Sequence, residues 1–269
     1  MHIRAAFLMG WAAAIAAPVG AGPFSLVSES EKLTAVSSRD YNGYVRTRLA
    51  DGSFQPEAFA FGEGGQIDPP VLIVSDPTID NLGFDAVART IAVPLARQNY
   101  VRARDPNTTR LLIMVFWGRT AGSVNTRDGD SVDWLDSWNA SLLGFNSGGF
   151  SELSFQPSIP GYSRDFRSSL LELSHHDVMD DLTVNRYFVI LRAYDFQSLW
   201  RQKTLKLLWE TRFSLSERRH DFKEDLPAMA QCAGLYFGRD THGLVRIPPI
   251  PEGHIEIGDL KTLGEAPDR

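Results

Sequence analysis

The residues RLLIMVFWGRT, positions 110–120, decide the fold. Seven apolar residues run without interruption from Leu111 to Trp117, between a turn signal at Asp105-Pro106-Asn107 and Gly118. A run this short and this bulky is typical of a strand that is covered on both faces. We therefore expect the segment to lie at the centre of a β-sheet, with the other elements arranged around it.

Further strands are predicted on both sides of this segment. Residues 44–61 form a hairpin signal, in which Asp51-Gly52 is the turn and Pro56 pushes the pair to a sheet edge. Tyr187–Phe196 is mostly apolar and is predicted to be interior, whereas Thr204–Ser216 alternates, which predicts one buried and one wet face. The short connection between these last two segments predicts an antiparallel pair.

Helical spacing marks three segments. Apolar residues recur at helical intervals from Asp80 to about Gln98, although Pro94 predicts a kink or an early end. Asp133–Leu143 is predicted to be a short amphipathic helix. The last helix begins after Asp221, which forms a capping-box pattern with Glu224.

The predicted fold class is α/β (α+β): a mixed, largely antiparallel sheet of about four or five strands with two main helices packed on one face. A partly helical insertion occupies residues 119–184. We expect a single domain over residues 44–246, an irregular lead-in at 22–43 and an extended tail at 247–269. The glycine cluster at 62–65 lacks the spacing of a phosphate loop and is interpreted as a flexible bend that ends its strand.

The first 21 residues have the pattern of an export signal. His2 and Arg4 precede the apolar stretch Ala5–Ala17, and Val19-Gly20-Ala21 places small residues where a signal peptidase cleaves. No other segment approaches the roughly 20 apolar residues of a spanning helix. We expect cleavage after Ala21 and a periplasmic or extracellular protein without an integral membrane span; an uncleaved anchor is the alternative.

Charge gives no reason to expect certain partners, and the cysteine content excludes two kinds of site. The formal net charge is −6 and no basic run is present, so nothing electrostatic points to nucleic acid or anionic lipid. Cys232 is the only cysteine, which excludes an intramolecular disulfide and a thiolate metal site. We expect its thiol to be buried in the last helix.

Two runs resemble a known group of proteins: FDAVARTIAVPLARQNYVRARDPNTTRLLIMVFWG at 84–118 and LLWETRFSLSERRHDFKEDLPAMAQCAGLYFG at 207–238. They are similar to an uncharacterised family of exported bacterial proteins, and loosely to the domain of unknown function of small envelope lipoproteins. The resemblance covers about 54–118 and 187–238. It implies the fold and an envelope location but no activity and no catalytic residues, and this chain differs in lacking the lipid-bearing cysteine and in carrying the insertion.

The densest group of ionisable residues lies in LELSHHDVMDDL, at 171–182. On a helix, Glu172, His176 and Asp180 would share one face at intervals of four, a geometry that could hold a divalent metal ion. The candidate metal ligands are His175, His176 and Asp180. The alternative interpretation is a solvated helix end.

Three other groups have competing interpretations. Residues 217–221, ERRHD, could bind an anion at a helix N-terminus or form a cap with its ion pairs. Trp134 and Trp138 could stack on a sugar or peptide, or belong to the core. The acids at 128–136 lack the spacing of a calcium loop and are interpreted as loop acidity: Asp128, Asp130, Asp133 and Asp136.

Function is therefore predicted only in broad terms. No motif for nucleophilic catalysis is present. The leading hypothesis is a non-catalytic exported protein of the bacterial envelope, without a cofactor, that binds or assembles with an envelope protein or a small ligand. The alternatives are a metal-dependent hydrolase with its site in the 172–181 region and a carrier for a small apolar ligand.

Overall fold

The computed structural model describes residues 33–71, 74–122, 132–144 and 181–249. The helices are α1 (Pro77–Asp80), α2 (Phe84–Arg97), α3 (Val132–Leu143), α4 (Phe196–Gln202) and α5 (Phe222–Gly234). The strands are β1 (Thr34–Asp40), β2 (Glu57–Ile67), β3 (Tyr100–Arg102), β4 (Leu111–Arg119), β5 (Arg186–Asp195), β6 (Leu207–Ser216) and β7 (Leu244–Ile247).

The strands form one mixed, largely antiparallel sheet in the order β3-β2-β4-β5-β6-β1-β7. β2 is parallel to β3 and β4, and the remaining pairs are antiparallel. The α/β class is confirmed, whereas the expected four or five strands are too few. The described part of the chain has seven strands. β1, β3 and β7 were not predicted, because their sequences are short or polar and give little strand signal.

β4 lies inside the sheet, between β2 and β5. Leu111, Ile113 and Val115 are fully buried on one face, while Leu112 and its alternate neighbours are half-buried on the other. The interior position predicted from the apolar run at 111–117 is confirmed.

Helices cover both faces of the sheet. α2 and α5 pack together on the face of Ile113, as expected for the two main helices. α3 supplies Ala140, Leu142 and Leu143 to a second core with Phe188 on the opposite face. α2 does not end at Pro94 but continues to Arg97.

The expected edge hairpin at 44–61 is only partly correct. The turn exists, since Leu49 N donates to Ser53 O at 2.8 Å and Gly52 has a φ of 83°. Residues 44–49, however, form no strand, and β2 begins only at Glu57 and lies between two parallel neighbours rather than at an edge. Long-range pairing with β4 replaces the local pairing that the turn signal suggested.

The lead-in at 22–43, expected to be irregular, contains β1. This strand is buried although it contains polar residues, because their side chains form hydrogen bonds inside the protein. Ser38 Oγ lies 2.7 Å from Thr211 Oγ1 and also donates to Glu210 O at 3.2 Å. β7 likewise reaches Ile247, the first residue of the expected tail, and pairs with β1. Residues 250–269 fall outside the described residues.

The glycine cluster at 62–65 does not end β2 but lies within it. A Cβ on Gly62 would overlap Met114 Sδ, and one on Gly64 would overlap the Phe116 ring. The glycines thus let the β4 side chains lie across β2, and a register shift occurs between Glu63 and Gly65.

The expected wet face of β6 is also buried. Nine of its ten residues are buried, including Glu210 and Ser214. Polar partners on β5 and β1 make this possible, as described below. Within the described ranges, no helix is long and apolar enough to cross a membrane.

Candidate functional site

The predicted metal ligands His175, His176 and Asp180 lie outside the described residues, as does Glu172. The neighbouring Asp181 is described and buried. Its Oδ1 accepts a hydrogen bond from Arg186 Nη1 at 2.6 Å, and its Oδ2 accepts one from Arg246 Nη2 at 2.7 Å. This carboxylate is therefore engaged by two arginines. The described segments contain no group of three or more His, Cys, Asp or Glu side chains placed to hold a metal ion.

Residues 217–221 form a cap and its ion pairs. Asp221 is the N-cap of α5 and accepts from Glu224 N at 3.0 Å. His220 Nδ1 lies 3.0 Å from Asp225 Oδ2. These contacts match the structural interpretation of the segment rather than an anion site.

The structure describes some of the remaining candidate residues from the sequence. Asp128, Asp130 and the side chains of Asp133 and Trp134 lie outside the described residues. Asp136 is buried, and Trp138 packs against the second core. Cys232 is fully buried in α5, as expected.

Folding brings three arginines around one aromatic ring at the end of the sheet where β2 and β3 begin. The guanidinium carbons of Arg46, Arg48 and Arg239 lie 4.2, 4.4 and 4.8 Å from the centroid of the Phe54 ring. We call these four residues the Phe54 cluster. Arg48 is exposed and Arg239 half-buried, so the cluster is open to solvent on one side.

The inner wall of the Phe54 cluster is buried. The Arg46 side chain is only 2% exposed, and its guanidinium also lies 3.9 Å from the centroid of the Tyr100 ring. Its nearest carboxylate is Glu57, with Arg46 Nε 3.8 Å from Oε2. Glu57 is shared, because Tyr44 Oη donates to it at 2.5 Å and Arg110 Nε lies 3.6 Å away.

Positive charge in the Phe54 cluster is only partly neutralised. Arg46 Nε and Nη1 are buried without a hydrogen-bond partner in the described structure. Burial, followed by repulsion from Arg48 and Arg46, lowers the pKa of the Arg239 guanidinium. Because one carboxylate faces several guanidinium groups, the cluster has the electrostatics of a site for an anion.

A second polar group lies at the opposite end of the sheet. Arg119, at the end of β4, places Nη1 4.0 Å from Asp76 Oδ2 and 3.8 Å from Glu217 Oε1. Tyr187 Oη donates to Asp76 Oδ2 at 2.5 Å. Asp76 also caps α1, so this group ties α1 to the ends of β4 and β6.

Sequence reasoning missed the Phe54 cluster. The alternation of Arg46 and Arg48 before Phe54 was the one local signal, and it lies in a segment interpreted as an ordinary hairpin. Arg239 follows α5, far along the chain, and only Gly238 and Tyr100 bring it close: a Cβ on Gly238 would lie 2.5 Å from Tyr100 Oη.

Comparison with protein-family models and with curated proteins finds no match. Among solved structures, the chain is similar to a PDZ domain protein from Parabacteroides distasonis ATCC 8503, with a TM-score of 0.33 and 14% sequence identity. That match covers 80% of this chain and 39% of the other. A likeness this distant assigns no family.

Proposed function

We propose that the protein is an exported protein of the bacterial envelope that acts by non-catalytic binding, and that the Phe54 cluster receives an anionic group of its ligand. The observation that carries the proposal is the approach of three guanidinium groups to one ring, with Arg46 buried and two of its nitrogen atoms without a hydrogen-bond partner. Charge of one sign gathered at a partly open site favours an oxyanion, which can accept hydrogen bonds from Arg48 and Arg239.

The contacts of three acids in the described segments favour binding over catalysis. Asp181 is held by two arginines, Asp221 caps α5, and Asp76 accepts a hydrogen bond from Tyr187. Side chains committed to such contacts hold the fold together and are poorly placed to act as nucleophile or base.

Oxyanion binding can be tested with two soluble probes. We expect inorganic phosphate or succinate to raise the melting temperature in a concentration-dependent way, because a ligand that binds only the folded state stabilises it. Succinate and phosphate separate carboxylate from phosphate recognition. Arg239→Gln should weaken binding of the preferred probe about tenfold, since it removes one charge-assisted contact.

Arg89→Gln is the matched control, because Arg89 is exposed on α2 and its one hydrogen bond within the described ranges is to the backbone carbonyl of Asp85. Its affinity for the probe should equal that of the parent. Failure of both probes to bind the parent protein would overturn the assignment of the Phe54 cluster as the binding site.

Export is tested separately by fractionation. Expressed with its own N-terminus in a Gram-negative host, the protein should be released by osmotic shock, and its first residue should be Gly22. Recovery in the cytosol with residues 1–21 intact would exclude the exported assignment without affecting the oxyanion test.

A further inference from the structure

The end of α4 and the turn that follows it carry two large, exposed apolar side chains. All residues from Trp200 to Lys206 are exposed, and α4 buries none of its own residues. Trp200 is 54% exposed and Leu205 is 56% exposed. We call residues 200–206, WRQKTLK, the Trp200 turn.

Three cations flank these apolar side chains: Arg201, Lys203 and Lys206. No acid lies between Asp195 and Glu210. Asp195 caps α4 by accepting from Ser198 N at 2.9 Å, and Glu210 is buried between two arginines. The three cations have no carboxylate partner in the described structure, so the turn is locally basic in a chain whose net charge is −6.

α4, which leads into the Trp200 turn, contacts the loop before β4. Gln197 Nε2 donates to Pro106 O at 2.8 Å and to Thr109 O at 2.7 Å. The rings of Phe196 and Trp200 stack, with centroids 5.8 Å apart and planes inclined at 14°. One face of the Trp200 indole therefore packs on Phe196, and the side chain remains exposed to solvent.

Other exposed apolar side chains lie at the same end of the sheet. β6 begins there at Leu207, and Asn42 Nδ2, in the loop after β1, donates to Leu207 O at 2.8 Å. That loop leads to Val45, which is 79% exposed, and to Leu49. Exposed apolar groups thus lie at the end of the molecule that carries Arg201, Lys203 and Lys206.

We propose that the Trp200 turn docks on the surface of a lipid bilayer that contains anionic lipid. Indole and leucyl side chains enter the interface between headgroups and acyl chains, and flanking cations are attracted to anionic headgroups. Whole-chain charge gave no reason to expect such a partner, but residues 196–209 contain three cations and no acid. Each cation contributes about fivefold to the partition coefficient, and salt weakens this part of the attraction.

Vesicle sedimentation tests the proposal with the chain starting at residue 22, since every described contact lies after residue 32. We expect the protein to bind vesicles of phosphatidylethanolamine with phosphatidylglycerol, and to bind phosphatidylcholine vesicles at least tenfold more weakly. Trp200→Ala should weaken binding and abolish the blue shift of tryptophan fluorescence. Arg201→Glu with Lys206→Glu should weaken binding tenfold or more by reversing two charges.

Leu235→Ala and Arg89→Glu are matched controls at exposed positions on or beside the helices, and both should bind like the parent. Melting temperatures check that every variant folds. Equal binding to both vesicle types, no binding to either, or unchanged binding of the Trp200 turn variants would overturn the proposal. Because the oxyanion test uses soluble probes without lipid, its outcome and this one are independent.

Discussion

Glu210 and Arg192 face each other across β6 and β5, with Glu210 Oε2 accepting a hydrogen bond of 2.6 Å from Arg192 Nε. Its other oxygen accepts one of 2.7 Å from Arg212 Nε. Burial acts to raise the pKa of Glu210, but Arg212 and Arg192 outweigh it and lower the pKa. The charged carboxylate therefore stabilises the folded state.

Glu210→Gln should lower the free energy of unfolding at neutral pH by about 3 kcal/mol, because it breaks a buried ion pair. Since the folded pKa is depressed, this contribution is present above the unfolded pKa of about 4.3 and is lost as pH falls through the folded pKa. Urea titrations at several pH values measure it. Glu63→Gln, at an exposed position of β2, is the control, and equal stability of the two variants at neutral pH would contradict the expectation.

Glu217→Gln should not lower the free energy of unfolding at neutral pH, in contrast to Glu210→Gln. Burial raises the pKa of Glu217 more than Arg119, 3.8 Å away, lowers it, so the charged form is disfavoured in the folded state. The stabilising contribution of the protonated group is present below the unfolded pKa and lost as pH rises through the folded pKa. We expect the melting temperature of the variant to be no lower than that of the parent at neutral pH, and any gain in melting temperature to disappear in acid. A markedly lower melting temperature at neutral pH would show that the ion pair with Arg119 dominates.

Gly118→Ala should destabilise the protein by about 3 kcal/mol, because the added Cβ would overlap the backbone carbonyl of Ile67 on β2. Gly62→Ala is the matched comparison. Its Cβ would meet the flexible Met114 side chain, so we expect a loss below about 1 kcal/mol. Chemical denaturation of both variants measures the difference, and equal losses would contradict the expectation.

Cys232 should be unreactive in the folded protein, because its side chain is fully buried in α5. An aromatic disulfide reagent should modify it only after denaturation in guanidinium chloride, which serves as the positive control. Rapid stoichiometric reaction of the native protein would show that α5 opens readily.

Chelation should leave the melting temperature unchanged if the protein acts without a metal ion. Metal content of the purified protein, measured with melting curves before and after chelation, checks this. Stoichiometric metal and a lower melting temperature would instead favour the metal-dependent hydrolase, and His176→Ala would then be expected to abolish metal binding.

The local sequence pattern was sufficient to predict those elements whose residues give a strong signal over a short range. The apolar run of β4, the helical spacing of α2 and the Asp221 cap of α5 all depend on neighbours within a few residues, and each was predictable. β1 was not, because Ser38 is buried through hydrogen bonds to a strand far along the chain. Burial of that kind leaves no apolar signature in the sequence.

The Phe54 cluster was hidden for a related reason. Arg46 and Arg48 read as polar residues of a hairpin, and Arg239 as a residue after a helix. Their proximity depends on the packing of Arg46 against both Phe54 and Tyr100, which lie in separate segments. The same limit applies to charge, because a net value for the chain says nothing about how the fold distributes it.

The pairing of β1 has a consequence for the order in which the protein can assemble. β1 is made early, yet its partners are residues 209–214 of β6 and 244–247 of β7. β1 therefore cannot complete its pairing until residue 247 has been synthesised, and contacts of such long range form slowly. If the protein is exported as proposed, slow pairing of β1 would leave this part of the chain unfolded for longer, and an unfolded chain is what a secretion channel accepts.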